Sequence, residues 1–401
     1  MIEDGTDYGA VVRDRRESMN WTRKRLAEEY GRALGEDIQE ETIRAYEQRN
    51  TLPTKHLNRR AILAGLLGLT PMALGVPVRP RVAPRLVVPE VDVAAAIDVA
   101  EYRSALGHYW RQGAYEALED AARRMVCLHN KVLYAHGADQ QQMIRLLCGF
   151  NSLTGNTLDE LGFPENADSY HVKAIRLAGE KEQYDLQGFA HWRRACDLVD
   201  RGEYEAALHN LRQAKALEKK LPTSLNGCIT SLLSNARAFT AQDKMDFSEA
   251  LAFAKVAEKA IIEKRTQFNG YPLRFSRVRH VLNLSMVFVA PAHQSLHLPD
   301  EAINLIETEV PFFGEARFAQ YQQIFCTLIQ ARVYLDKGDY AYAANQLIDA
   351  LAISEEIHSV IHLSDVEALY HRLKETSYTN SVEVARLSLA LTRVKYPELF
   401  Y

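Results

Sequence analysis

The segment ARVYLDKGDYAYAANQLIDALAISEE, residues 331–356, contains the pattern on which the fold of this chain depends. A turn at Gly338 is followed by an aromatic residue, Tyr340, and then by small residues at Ala343 and Ala350. These two alanines are seven positions apart, about two helical turns, so they share one helix face. Glycine permits a sharp turn, the aromatic ring fills the gap between two helices, and small side chains allow close packing. The segment therefore predicts an α-helical hairpin.

The same pattern recurs along the chain at intervals of 40 to 52 residues. The other clear copies are GAYEAL at 113–118, GEYEAA at 202–207 and DFSEA at 246–250, and two weaker copies are ENA at 165–167 and PDEA at 299–302. A repeat of this length with a central turn predicts an array of helical hairpins. Few alternating β-branched runs occur, so the predicted fold class is all-α.

The repeat resembles the tetratricopeptide repeat (TPR). The matching residues are Tyr334, Gly338, Tyr340, Ala343 and Ala350 in one copy and Gly202, Tyr204, Ala207 and Ala214 in another. The spacing exceeds the ~34 residues of that family, and its Trp-Leu-Gly triplet is missing, so we expect longer helices. A generic α-solenoid is the alternative. Either predicts a curved superhelix whose concave face binds peptides or other extended ligands.

Residues 1–75 show a different pattern, that of short amphipathic helices separated by turns. The predicted helices are 8–19, 22–31 and 39–50. Asn20 or Thr22 can cap the second helix, and Pro53 stops the third. Their predicted buried residues are Val11, Val12, Leu26, Ala27, Tyr30, Ile43 and Tyr46. This order predicts a helix-turn-helix.

These residues resemble the DNA-binding domain of XRE/Cro/C1-type repressors. Arg25-Leu26-Ala27-Glu28 matches the family's E-L-A-x segment, and Thr42-Ile43-Arg44-Ala45-Tyr46-Glu47 matches its T-I-S-R-I-E segment. The resemblance implies that the start of the third helix enters the major groove. The DNA-binding candidates that it implies are Arg23, Glu40, Glu41, Thr42, Arg44 and Ala45, with Arg44 suited to guanine and Arg23 to phosphate.

Two features of this segment depart from a compact DNA reader. From Leu26 to Ile43 is 17 residues, longer than in the family, so RALGED must lengthen the second helix or its turn. Residues 1–60 contain 12 Lys and Arg against 12 Asp and Glu, which is poor for phosphate affinity. A protein-interaction module with solvated charges is therefore the alternative.

The apolar run NRRAILAGLLGLTPMALGVPV, residues 58–78, has features of an export signal or a membrane span. Thr70-Pro71 suits the start of a new helix, however, and leaves only nine uncharged residues, 61–69, before it. The long charged segment that precedes the run also argues against a signal. We therefore expect two closing helices of a five-helix domain. Its surplus apolar surface, at Ile62, Leu66, Met72 and Leu74, is expected to pack on the repeat domain or on a second protomer.

The run VPVRPRVAPRLVVPEV at 76–91 contains four prolines and three arginines, a composition that favours extended chain. It predicts a linker between a helix-turn-helix domain at 1–75 and a TPR-like α-solenoid at 92–401. Two units agree with the length of 401 residues.

Composition and motif content narrow the classes of function. The net charge of −4 is not that of a generic polyanion binder, although a small DNA-binding module is compatible with it. Five widely spaced cysteines are typical of buried thiols in a reducing compartment such as the cytoplasm. We find no H-E-x-x-H, phosphate-binding glycine loop or G-x-S-x-G motif, so we predict no enzyme activity, cofactor or metal.

A DNA reader joined to a repeat array resembles the RRNPP group of bacterial peptide-pheromone receptors. The resemblance implies a cytoplasmic transcriptional regulator that binds double-stranded DNA as a homodimer, binds a peptide or small-molecule effector in quorum sensing, and has no membrane segment. The predicted ligand contacts on the first helices of the hairpins are Asn156, Trp192, Asn235, Asn283 and Arg332. A TPR scaffold acting through protein–protein contacts and a regulator of an enzyme remain the alternatives.

Overall fold

The computed structural model describes residues 6–53, 56–78, 97–112, 118–290, 299–310, 317–357 and 359–400. These residues contain 18 α-helices and one two-stranded hairpin, so the all-α class is confirmed. They form two compact units, one from the described parts of 1–82, 330–356 and 365–401, the other from those of 83–329 and 357–364. Most of the predicted linker, 79–91, and most of the repeat copy at 113–118 lie outside the described residues.

The helices follow one another in chain order. They are α1 Tyr8–Ser18, α2 Arg23–Leu34, α3 Glu40–Arg49, α4 Leu57–Leu66, α5 Val99–Gln112, α6 Leu118–Val132, α7 Gly137–Glu160, α8 Pro164–Glu180, α9 Tyr184–Asp200, α10 Tyr204–Ala216, α11 Thr223–Phe239, α12 Lys244–Glu258, α13 Arg277–Phe288, α14 Pro299–Glu309, α15 Arg317–Asp336, α16 Tyr340–Glu356, α17 Leu363–Lys374 and α18 Val382–Lys395.

The first three helices agree with the predicted ones to within one residue, except at the end of α2. This helix continues to Leu34 and ends at Gly35 in the left-handed conformation, so the first inserted residues lengthen the helix and the remainder forms the turn. The side chain of Thr22 caps the helix by accepting a hydrogen bond from the Arg25 amide at 3.1 Å.

The predicted fifth helix of this segment is wrong in kind, because Pro71–Leu74 forms a single 3₁₀ turn. The boundary itself lies where the sequence places it: Thr70 precedes the turn in an extended conformation and Pro71 is its first residue. Gly75, with φ of 70°, ends the turn, so only one helix, α4, has to be covered on several sides.

That cover comes from α18, within the same compact unit. Ala385 and Leu389 of α18 belong to the hydrophobic core formed by α1–α4. Gly65 allows the close approach, since a Cβ there would lie 2.9 Å from Leu389 Cδ1. A hydrogen bond joins neighbouring segments: Trp21, between α1 and α2, donates from Nε1 to the carbonyl of Asn380, just before α18, at 2.8 Å. Of the four residues that we expected to need cover, only Met72 is exposed.

In the second unit, α7 to α14 form four consecutive hairpins, each packed against the next. The small residues of the repeat pattern are at most 1% exposed, namely Ala167, Ala174, Ala207, Ala214, Ala250, Ala257 and Ala302. The aromatic residue behaves differently from the prediction. Tyr204 at the start of α10 stacks on Phe239 of α11 with ring centroids 4.2 Å apart, so it joins one hairpin to the next.

A β-hairpin that the helical repeat pattern did not predict lies between α12 and α13. Strands Ile262–Phe268 (β1) and Tyr271–Phe275 (β2) pair antiparallel around Asn269-Gly270, whose φ values are 48° and 83°. An Asn-Gly turn with positive φ at both positions is the commonest tight hairpin turn. The Asn-Gly dipeptide was the available sequence signal for a β-hairpin, but it lies within a segment whose pattern predicted only helices.

Leu389→Ala should destabilise the N-terminal helices, because the side chain is 6% exposed and fills their core. The expected cost is about 2–5 kcal/mol. Hydrogen exchange should accelerate in α1–α4 and stay unchanged in α9. Leu133→Ala, at a position 64% exposed, is the matched control, and equal protection of α1–α4 in both variants would contradict the packing.

Candidate functional site

The third helix presents its predicted DNA-contacting residues to different extents. Glu41 and Arg44 are exposed on α3, while Glu40, Thr42 and Ala45 are half-buried. Ile43 and Tyr46, on the opposite side, fix the helix in the core. The exposed residues therefore occupy one accessible face at the start of α3.

Arg23 has a structural contact that the sequence did not predict. Its Nε donates to Glu47 Oε2 at 2.6 Å, and Arg16 Nε donates to Glu47 Oε1 at 2.5 Å. The Glu47 side chain is fully buried, and that of Arg16 nearly so. One carboxylate thus joins α1, α2 and α3, and Arg23 has less freedom to reach phosphate than an exposed arginine.

A candidate ligand site is a cavity of about 240 Å³ in the second unit. Its wall consists mainly of the first helices of successive hairpins, α7, α9, α11 and α13, which pack against one another. Residues at i, i+4 and i+7 face it, Trp192, Cys196 and Val199 on α9 and Cys228, Leu232 and Asn235 on α11. The site therefore follows from the repeat, which turns one face of each first helix toward the same space.

Four of the five predicted ligand contacts line this cavity together: Asn156, Trp192, Asn235 and Asn283. The fifth, Arg332, does not line it. Its guanidinium is ion-paired with Asp365, with both side chains largely buried in the other unit. That arginine belongs to the continuation of α15 beyond the unit boundary, so repeat position alone misplaced it.

Asn235 is the most distinctive residue of the cavity wall. It is fully buried, and neither its amide oxygen nor its amide nitrogen has a hydrogen-bond partner among the described residues. A buried polar group without a partner costs about 1–3 kcal/mol. Asn283, by comparison, donates to Ser231 Oγ at 3.1 Å. Asn235 thus keeps one donor and one acceptor available to a ligand.

Arg193 lines the same cavity as Asn235, and the side chains of Asn156 and Asp197 hold its guanidinium in place. Its Nη2 donates to Asn156 Oδ1 and lies 3.5 Å from Asp197 Oδ1. Asp197 is held in turn by His171, at 2.7 Å. The guanidinium carbon lies 5.6 Å from the Trp110 ring centroid and 5.4 Å from that of Trp192, a cation–π arrangement. Arg193 Nε, also buried, has no partner in the described part of the chain.

Several lining residues were not among the predicted ones, and most of these examples come from outside the repeat pattern. Trp110 comes from α5, Tyr271 from the β-hairpin, and Ile361 and His362 from the connection between α16 and α17. His362 has φ of +65°, a strained conformation for a residue with a side chain. No local pattern marks that connection as part of a site.

The two cysteines of the cavity are neutral thiols. Burial raises the pKa of Cys196 to about 12 and also raises the pKa of Cys228. A protonated thiol is a poor nucleophile and a poor metal ligand. Across the residues that the structure describes, no group of three His, Cys, Asp or Glu side chains could hold a metal ion.

A scan against protein-family models and a search of curated proteins both find no match to this chain. Of the helices in the described ranges, none has the length and apolar character required to cross a membrane.

Glu47→Gln should destabilise α1–α3, because it removes the buried counter-charge of Arg16 and leaves only the exposed carboxylate of Glu17, 3.0 Å from Arg16 Nη2. Removing one partner of a buried ion pair costs about 3 kcal/mol or more. Urea unfolding followed by hydrogen exchange of α1–α3 measures the loss. Glu28→Gln, at an exposed position of α2, should change stability little, and equal effects of the two would refute the buried role of Glu47.

Asn235→Leu should stabilise the ligand-free protein, because it removes two unpaired polar atoms and keeps a side chain of similar size. The expected gain is about 1–3 kcal/mol, measured as a higher thermal unfolding temperature. Asn304→Leu, which changes an exposed residue of α14, is the control. A lower unfolding temperature for Asn235→Leu would show that the amide is satisfied in the folded protein.

Proposed function

We propose that the chain is a DNA-binding transcriptional regulator whose repeat unit binds a peptide or other small effector and thereby modulates DNA binding, as a cytoplasmic homodimer. The observation that carries the proposal is the cavity in which four predicted residues from successive repeats converge, one of them Asn235 with its unpartnered amide. A buried, unpaired amide is costly in a purely structural array, and a ligand that pairs with it removes the cost.

The DNA-binding half of the proposal rests on the order and burial of α1–α3 and on the resemblance to XRE-type repressors. Arg44 and Glu41 stand exposed at the start of α3, the part of a recognition helix that contacts base edges. Residues of α18 complete the core that also contains Ile43 and Tyr46 of α3. The packed core therefore holds α3, the proposed recognition helix, in a fixed position.

The path of the chain provides a route from ligand to DNA reader. Ile361 and His362 line the cavity, and the chain on either side of them forms α16 and α17. Those helices belong to the compact unit that contains α1–α4. A ligand that prefers one conformation of the His362 connection would therefore bias helices that continue into that unit.

One observation favours the alternative of a scaffold without sequence-specific DNA binding. Glu40 and Glu41 begin α3, and the first 60 residues carry no net charge. A weak electrostatic attraction to phosphate would result. The alternative predicts protein partners and no preferred DNA site.

The decisive experiment is a selection of genomic DNA fragments by the full-length protein at low salt, with and without cell extract, followed by footprinting. A palindromic footprint whose affinity falls with salt would support the regulator. Absence of any sequence preference in both conditions would eliminate DNA reading. Mass spectrometry of small molecules and peptides that copurify with the chain tests the sensor half separately.

Arg44→Ala should relax sequence preference at one position of the site, with a loss of about 1–3 kcal/mol on the preferred base. Lys24→Ala, at an exposed position at the start of α2, should weaken binding to all sequences alike and reduce the salt dependence. Lys24 replaces Arg23 in this comparison because Arg23 also stabilises Glu47. Competition binding against single-base variants of the selected site distinguishes the two effects, and identical profiles would contradict the assignment.

A further inference from the structure

We propose that the cavity takes a small carboxylic acid that carries one amide group and one apolar ring, rather than an extended peptide. The inference rests on the proposed sensor function and narrows the chemistry of its ligand. Three observations lead to it: the position of the β-hairpin, the set of unpaired buried atoms, and the aromatic and aliphatic lining.

The β-hairpin packs on the helices that line the cavity and contributes Tyr271 to its wall. Phe268, Tyr271, Leu273 and Phe275 share a buried cluster with Phe189 and Trp192 of α9 and with residues of α11. The Asn269 side chain donates to the Arg145 carbonyl of α7 at 2.6 Å. The hairpin strands, seven and five residues long, therefore occupy surface that an extended ligand would need.

Two glycines show that the hairpin is closely fitted to these helices. A Cβ at Gly149 of α7 would lie 2.9 Å from Asn269 Nδ2, and a Cβ at Gly227 of α11 would lie 2.4 Å from Phe275 Cδ1. Both distances are too short for a real contact. Because the helices contact the hairpin at positions without side chains, the hairpin is a built-in part of the wall.

The space that remains limits the ligand's size. The cavity of about 240 Å³ is larger than the ~150 Å³ that accommodates benzene. It is smaller than the ~300–1,000 Å³ of sites for drug-sized molecules. A single ring with one or two polar substituents fits between these limits.

The unpaired buried atoms select for acceptors. Among the residues that line the cavity, they include three donors, Asn235 Nδ2, Trp110 Nε1 and Arg193 Nε, and one acceptor, Asn235 Oδ1. A ligand amide satisfies both atoms of Asn235. The remaining donors, one of them on a guanidinium, match a carboxylate, which accepts several hydrogen bonds and bears the complementary charge.

The charges and apolar groups of the wall agree with this chemistry. Arg279 lies over the Trp192 ring at 5.5 Å and adds a second positive charge. The lining acids already have partners, since Glu160 accepts from Asn156 and Asp200 lies 3.7 Å from His362 Nδ1. Leu232, Leu282 and Phe325 provide the apolar surface for a ring.

The test is to titrate the full-length protein with four probes and to measure binding by calorimetry and ligand-observed NMR. The probes are N-acetylphenylalanine, its uncharged methyl ester, 2-phenylethylamine and a pool of heptapeptides. We expect the acid to bind about 10- to 100-fold more tightly than the ester, as for other charge-assisted hydrogen bonds. We expect no measurable binding of the amine. Asn235→Leu should weaken binding of the acid at least tenfold, and Asn304→Leu should leave it unchanged.

Ester binding equal to that of the acid would overturn the carboxylate assignment. Tighter binding of a heptapeptide, with faster hydrogen exchange in β1 and β2, would overturn it in favour of a peptide that displaces the hairpin, and the sensor function would stand. If none of the four probes binds and copurified material contains no ligand, the proposed sensor function fails together with this inference.

Discussion

The packing of α18 on α4 is the interaction on which the N-terminal segment depends. α4 is apolar on almost every side, and a helix of that kind is stable only when other helices surround it. α1–α3 cover part of it, and α18 covers the part that contains Gly65. Because α18 lies more than 300 residues further along the chain, the compact unit joins distant parts of the sequence, and its limits differ from the boundaries at 75 and 91 that composition indicates.

Local sequence patterns predicted most of the helices, but they did not predict the contacts between residues far apart in the chain. The alanines of each repeat and the stripe of Leu26, Ala27 and Tyr30 are buried as their spacing requires. The ion pairs of Glu47 and the cover of α4 were not predictable, because each depends on residues brought together by folding. The β-hairpin was missed for a different reason. Its Asn269-Gly270 turn is a recognisable signal, but β1 and β2 lack regular alternation of apolar and polar residues.

The cavity shows the same division. Asn156, Trp192, Asn235 and Asn283 could be found by counting positions from each turn, since every repeat presents the same face to the same side. Tyr271 and His362 could not, because they lie in the β-hairpin and in the α16–α17 connection, which the repeat pattern does not describe. The regular helices thus supply most of the wall, including the amides and the Trp192 ring, and the irregular parts add Tyr271, Ile361 and His362.

The joining of α4 to α18 also has a consequence for synthesis. α1–α4 emerge from the ribosome first, but Leu389 becomes available only after about 320 further residues, which takes roughly 15 to 60 s at ordinary elongation rates. During that interval the apolar face of α4 is exposed to chaperones and to other nascent chains. A messenger RNA that ends early yields helices without a finished core, which proteases remove readily. Translation through α18 is thus a condition for a complete core around α4.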